Sequence, residues 1–279
     1  MLEVRADRIA TIYLFHPLRQ FVHSAAARIP ILMYHSISRK DEGKRHAYYR
    51  TCADAAVFTD QLQFLHDHGY QPIGVCEAVQ WMEGVTQGTE RPVVLTFDDG
   101  YENFYTTAFP ILYRFGYPAT VFLPTGYIGE TARYFKQTKC LTWGQVRELR
   151  DAGIEFGSHT VTHPQLKTLN IEQVEFEIRR SKDTIEERLG CPVRSFSYPY
   201  SFPETDRIFR ERLRAILEGA GFENGVSTIL GTASISSDRF FLERLPVSSA
   251  DDLRFFRAKL AGGYDWLHGL QYAYKRTMA

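Results

Sequence analysis

The chain of 279 residues balances 33 Lys+Arg against 33 Asp+Glu and is 44% hydrophobic. Zero net charge leaves no footprint of nucleic acid or an anionic membrane as the main partner. The apolar content is that of a globular protein with a sizeable core. Cys52, Cys76, Cys140 and Cys191 include no Cys-x-x-Cys pair, so they read as dispersed reduced thiols rather than a disulfide framework or a zinc knuckle. Residues 1–29 form an N-terminal extension without a secretory signal pattern: the apolar stretch 9–15 is interrupted by Thr11 and followed by His16-Pro17. No run reaches transmembrane length, which makes a cytoplasmic location the expectation. The weakly basic, apolar start reads as a packed helix, with peripheral membrane contact as the alternative.

Residues 30–35 form a short apolar run closing on His35, a buried strand with the histidine at its tip. A polar loop follows over 38–50. Phe58, Leu62 and Leu65 give helical spacing that stops at Gly69, and 76–82 is a second short helix. After the loop 84–91, strands and helices alternate. Strands are expected at 93–97, 119–123, 154–157, 194–198, 225–228 and 240–245. Helices are expected at 103–115, from Thr142 to about 152, at 171–189 behind Asn170, at 204–219 and at 251–260. Seven strands separated by helices predict a parallel α/β architecture, and the regular alternation favours a barrel. Barrel chemistry collects at the C-terminal strand ends, where His35, Asp98-Asp99, His159 and Tyr200 fall. No low-complexity linker interrupts the sequence, so residues 30–260 read as one domain. The tail 261–279 carries Tyr264, Trp266, Leu267, Leu270, Tyr272 and Tyr274, a stripe expected to pack on the barrel, with a dimer or a membrane as alternatives.

Two stretches carry chemistry. Val93-Val94-Leu95-Thr96-Phe97-Asp98-Asp99-Gly100 runs a buried strand into two adjacent carboxylates that repel each other and lose hydration; a bound metal, or one Asp kept as a proton acceptor, compensates them. Ser158-His159-Thr160-Val161-Thr162-His163-Pro164 places two histidines four residues apart, on one face of a helical turn where both can reach one cation. A carboxylate from another strand makes the set His, His, carboxylate, which leaves positions open for water and substrate.

In this order the two stretches resemble the motifs of the polysaccharide deacetylase family, the carbohydrate esterase family 4 enzymes with a NodB-homology domain, over about residues 30–247. The resemblance implies a distorted (β/α)7–8 barrel. It implies Asp98 as catalytic base and Asp99, His159 and His163 as ligands of a divalent metal, Zn2+ first, with Co2+, Ni2+ or Fe2+ as alternatives. Phe196-Ser197-Tyr198-Pro199-Tyr200-Ser201 resembles the third motif, in which the N–H of the residue matching Tyr200 holds an oxyanion. Ser197 departs from the pattern, since many members have there an arginine that pairs with the base, and Ser201 replaces a usual glycine. Arg244 is the nearest substitute, its alternative being a solvated surface arginine. The Leu-x-His motif that supplies the acid in many members is missing. Ile31-Leu32-Met33-Tyr34-His35 instead resembles the start of the branch containing poly-N-acetylglucosamine deacetylases, which makes His35 the general acid; the alternative is a core histidine. The implied partner is an N-acetylated polysaccharide or oligosaccharide, with acetate as product. A lipid-linked or small amino-sugar substrate and a catalytically impaired carbohydrate-binding barrel are the competing readings. Phosphoryl transfer fits poorly, because no Gly-rich phosphate loop is present.

Overall fold

The computed structural model describes residues 5–19, 28–38, 46–85 and 89–277. Seven apolar segments form parallel strands: β1 (Ile31–Tyr34), β2 (Pro92–Phe97), β3 (Thr120–Leu123), β4 (Glu155–Ser158), β5 (Ser195–Ser197), β6 (Asn224–Leu230) and β7 (Leu242–Pro246). Each pairs with its successor in chain order, and β7 closes on β1 through Leu245–Leu32 and Pro246–Met33. The result is a closed barrel with helices around it. Every expected strand lies in this ring. The pairings are uneven in length: β2 meets β3 at Thr96–Thr120 and Phe97–Val121, and β4 meets β5 at Ser158–Phe196 alone. A further parallel strand, Gln71–Ile73, pairs with the other end of β2; three residues with Pro72 among them give too little pattern to read as a strand.

The helices form where apolar spacing, caps and stops agree. Ile171–Leu189 opens on a reciprocal Asn170/Gln173 capping box and ends at Gly190, whose φ of +65° suits a glycine. Trp143–Asp151 opens on the equivalent Thr142/Gln145 box. Two differences from the sequence reading trace to proline. The helix expected at 103–115 begins with a wider, π-type turn over Phe104–Ala108, just ahead of Pro110, whose missing N–H cannot close an ordinary turn. The helix expected from 204 starts at Arg207, capped by Asp206, because Pro203 and the turn behind it occupy the intervening residues.

The two termini meet. Phe15 stacks on Trp266 at 4.5 Å, Trp266 Nε1 donates to Thr11 Oγ1 at 3.0 Å, and the Tyr264 hydroxyl donates to Asp7 at 2.9 Å. The tail packs through Tyr264, Trp266 and Leu267 and runs on as a helix, Trp266–Thr277, on which Leu270, Tyr272 and Tyr274 of the expected stripe are exposed. No helix among the described residues is long and apolar enough to cross a membrane. All four cysteines are free, as expected.

The barrel interior is close to its packing limit at Gly157 in β4, where a Cβ would stand 2.4 Å from the Phe122 ring and 2.8 Å from the Ser195 carbonyl oxygen. Gly157→Ala is expected to cost about 1–3 kcal/mol by overpacking, read as a lower urea midpoint at unchanged slope.

Candidate active site

Asp98 follows β2 at the C-terminal end of the barrel. Its carboxylate is gripped end-on by Arg244 of β7, with Nη1–Oδ1 2.9 Å and Nη2–Oδ2 2.7 Å. Arg244 is fully buried, so the reading of it as a solvated surface residue does not hold. Its remaining donors are also engaged: Nε with the Ser227 carbonyl at 2.8 Å, Nη1 with Thr96 Oγ1 at 3.2 Å and Nη2 with Ser197 Oγ at 3.1 Å. Ser197 Oγ in turn donates to Asp98 Oδ1 at 3.2 Å. A small residue at 197 thus leaves room for a guanidinium arriving from β7. Burial alone would raise the Asp98 pKa; the Arg244 charge and its hydrogen bonds outweigh that and hold the carboxyl at about 2.

Asp99 turns away from Asp98 because its φ is +71°. Adjacent carboxylates in the chain therefore take different partners. Asp99 Oδ1 is buried and accepts no hydrogen bond, with His163 Nε2 at 3.1 Å and His159 Nε2 at 3.6 Å. His159 Nδ1 lies 2.7 Å from the Ser197 carbonyl oxygen, an acceptor only, so Nδ1 carries the proton and Nε2 presents a lone pair. Burial holds His163 below the ordinary histidine range and so favours its neutral, ligating form. Ligand atoms of Asp99, His159 and His163 lie within 4.8 Å of one another. A carboxylate oxygen facing an imidazole lone pair without a hydrogen atom between them is an arrangement that a cation stabilises, so the residues present fit a divalent metal. The Lys136 ammonium, at the tip of a hairpin, reaches 3.7 Å from Asp99 Oδ2 and lies over the Phe135 and Tyr200 rings.

The histidines do not lie on a helical turn, as their spacing suggests. Residues 159–163 form an irregular loop with Thr160 at φ +68° and His163 at +56°. The residue that shapes this loop is absent from the sequence reading. Glu177, buried in the helix Ile171–Leu189, accepts the Val161 and Thr162 N–H groups at 2.8 and 2.9 Å and the Thr162 hydroxyl at 2.7 Å. The available signal was its place one turn from Val174 and beside Ile178, a carboxylate on an otherwise apolar face. Asn103, also missed, bonds the Ile37 N–H at 3.3 Å and Ser36 Oγ at 2.7 Å, and so fixes the chain just past His35.

His35 follows β1 and is half-buried. Burial lowers its pKa, with the charges of Asp99 and Asp98 opposing. His35, Asp98, His159, His163, Lys136 and Tyr200 line one cavity of about 380 Å³, which Tyr48, Tyr49 and Arg50 also wall. Tyr200 has φ +58°, and its half-exposed ring packs edge-on against His163 at 4.7 Å. Tyr48, Tyr49 and Arg50 reach the cavity from the polar loop 38–50, of which 39–45 lie outside the described residues.

Residues 86–224 match the sequence profile of polysaccharide deacetylases. YxkH of Bacillus subtilis (strain 168), a protein classed with them, is 32% identical over 222 residues, 80% of this chain and 72% of its own length. The chain belongs to the polysaccharide deacetylase family. Like other polysaccharide deacetylases it is a hydrolase of amide bonds with a NodB-type barrel. The poly-β-1,6-N-acetyl-D-glucosamine N-deacetylase of Staphylococcus epidermidis is 25% identical over 236 residues, 78% of each chain. The solved Streptococcus pyogenes deacetylase PplD, in complex with acetate, superposes with a TM-score of 0.72 at 26% identity, over 84% of this chain and 99% of that one. This deacetylase family is metal-dependent, in keeping with the donor set of Asp99, His159 and His163.

The buried pair sets an acid dependence of stability. The folded pKa of Asp98, about 2, lies below the ordinary 3.8, so its stabilisation is complete above about pH 4 and is lost as pH falls towards 2. Arg244→Met leaves that carboxylate buried and unpaired, and is expected to cost about 3–5 kcal/mol near neutrality. Denaturant titrations at stepped pH should show the gap between wild type and variant narrowing below about pH 4.

Proposed function

We propose that this deacetylase hydrolyses the acetamide of N-acetylglucosamine units in a polymer or oligomer, releasing acetate, with Zn2+ held by Asp99, His159 and His163. The observation that carries the reading is the convergence of those three ligands beside the Asp98–Arg244 pair and His35 in one cavity. The S. epidermidis relative supplies the sugar.

When bound, such an ion polarises the acetyl carbonyl and makes a water acidic enough to attack near neutral pH. The protein supplies the remaining groups. Asp98, held ionised and oriented by Arg244, takes the proton of the attacking water as the oxygen–carbon bond forms. The Tyr200 N–H donates to the oxygen on which negative charge develops. His35 gives a proton to the nitrogen as the carbon–nitrogen bond breaks, since an amine leaves poorly unless protonated. Growing negative charge on the acetyl oxygen raises the proton affinity of His35, which offsets the lowering by burial. The proton held by Asp98 then returns to His35 through solvent, leaving acetate and a free amino sugar.

The Asp98–Arg244 pairing weighs against a catalytically impaired barrel, because Arg244 does what the residue at 197 does not. A second reading, deacylation of a lipid-linked or small amino sugar, draws on Ile9, Tyr13, Leu14 and Leu18, which are exposed on the N-terminal helix and could rest on a lipid surface.

Acetate release from N-acetylglucosamine oligomers by zinc-reconstituted protein tests the assignment. Asp98→Asn should lower kcat by about 10²–10⁴ with one equivalent of metal still bound. His159→Ala should lose both metal and turnover. Wild-type turnover in Asp98→Asn would remove Asp98 as the base, and release from lipid-linked sugars alone would favour the second reading.

A further inference from the structure

The helix Trp266–Thr277 lies outside the span matched by the family profile, yet it is tied to the loop that carries Tyr200. Tyr200 sits at φ +58°, a conformation unfavourable for a non-glycine residue that persists only where its surroundings impose it. Thr228 of β6 imposes it locally. Its hydroxyl donates to the Tyr200 carbonyl at 3.1 Å and accepts the Phe202 N–H at 2.8 Å.

Thr228 is itself in an irregular stretch. The register between β6 and β7 shifts between Val226 and Leu230, as at a bulge. The Gln271 side-chain amide bridges this stretch: Nε2 donates to the Thr228 carbonyl at 2.9 Å and Oε1 accepts the Leu230 N–H at 3.1 Å. One glutamine thus bonds the backbone on both sides of the irregularity as a neighbouring strand would. A second tie sits on the far side of the loop. Glu204, almost fully buried, accepts His268 Nε2 at 2.5 Å and has Lys275 Nζ at 3.7 Å. Gln271, His268 and Lys275 all belong to the same helix, so one rigid element braces the strained loop at Thr228 and at Glu204.

We propose that the C-terminal helix is a positioning element for the oxyanion contact, with Gln271 and His268 as positioning residues that hold the Tyr200 loop through Thr228 and Glu204. The consequence for catalysis rests on the role proposed above for the Tyr200 N–H; the brace itself does not. Loss of Gln271 leaves the three ligands in place but loosens the one wall residue whose N–H must already be aimed when charge develops.

Hydrogen exchange by mass spectrometry on the full chain tests the brace without any substrate. In Gln271→Ala the amides of Tyr200, Ser201 and Phe202 should exchange on the order of tenfold faster, from two hydrogen bonds lost, with the segments around Asp99 and His159 unchanged. His268→Ala should act in the same direction, and His268→Gln, which keeps a donor for Glu204, should restore protection. If Gln271→Ala does not fold, the His268 pair carries the same comparison. On oligomers kcat should fall by a similar factor with KM within about twofold, since the contact strengthens only in the transition state. Unchanged exchange at Tyr200, Ser201 and Phe202 in the folded variants would overturn the proposal. Faster exchange in protein that cleaves no amino-sugar amide would keep the brace and remove the deacetylase reading instead.

Discussion

Everything at the C-terminal mouth of the barrel depends on one buried ion pair, Asp98 with Arg244. Both groups are lost to water, an unfavourable transfer unless each charge is met and each remaining donor satisfied. The structure meets that condition by drawing on separate strands: Asp98 beyond β2, Ser197 from β5, the Ser227 carbonyl from β6 and the guanidinium from β7. The pair therefore ties strand ends that are far apart in sequence. It also solves the problem posed by two consecutive carboxylates. Asp98 is neutralised by an arginine, and the positive φ at Asp99 swings its neighbour to the two histidines.

Strain is concentrated where the chemistry is. Of the six non-glycine residues with positive φ among those described, Asp99, Thr160, His163 and Tyr200 surround the ligand set, and Lys136 tips the hairpin that leans over it. Such conformations survive only under external constraint. The histidine loop has one in Glu177, and Tyr200 has one in Thr228 and the C-terminal helix. The donors and acceptors of the site are thus fixed by the protein, so little reorganisation is left for the reaction to require.

The ring of strands was legible because parallel barrel strands are buried on both faces and so appear as short apolar runs, as 93–97 and 119–123 do. Helices with matched caps and glycine stops, such as Ile171–Leu189, were legible to the residue. The candidate ligands Asp99, His159 and His163 stood out through their motifs. What escaped depends on contacts that sequence separation hides. The loop path of 159–163 is set by a glutamate on a helix that begins after it, so the spacing of four suggested a helical turn that does not exist. Gln71–Ile73 became a strand only because β2 offered it an edge. That Arg244 faces inwards could be suspected from its place in a strand, but its partner lies 146 positions away.

The most direct measurement of the central claim is an anomalous difference map at the zinc edge from crystals grown with Zn2+. The account predicts one strong peak bonded to Asp99, His159 Nε2 and His163 Nε2 at about 2.0–2.2 Å, with further coordination positions left for water. A peak elsewhere, or none among these three side chains in fully loaded protein, would contradict it.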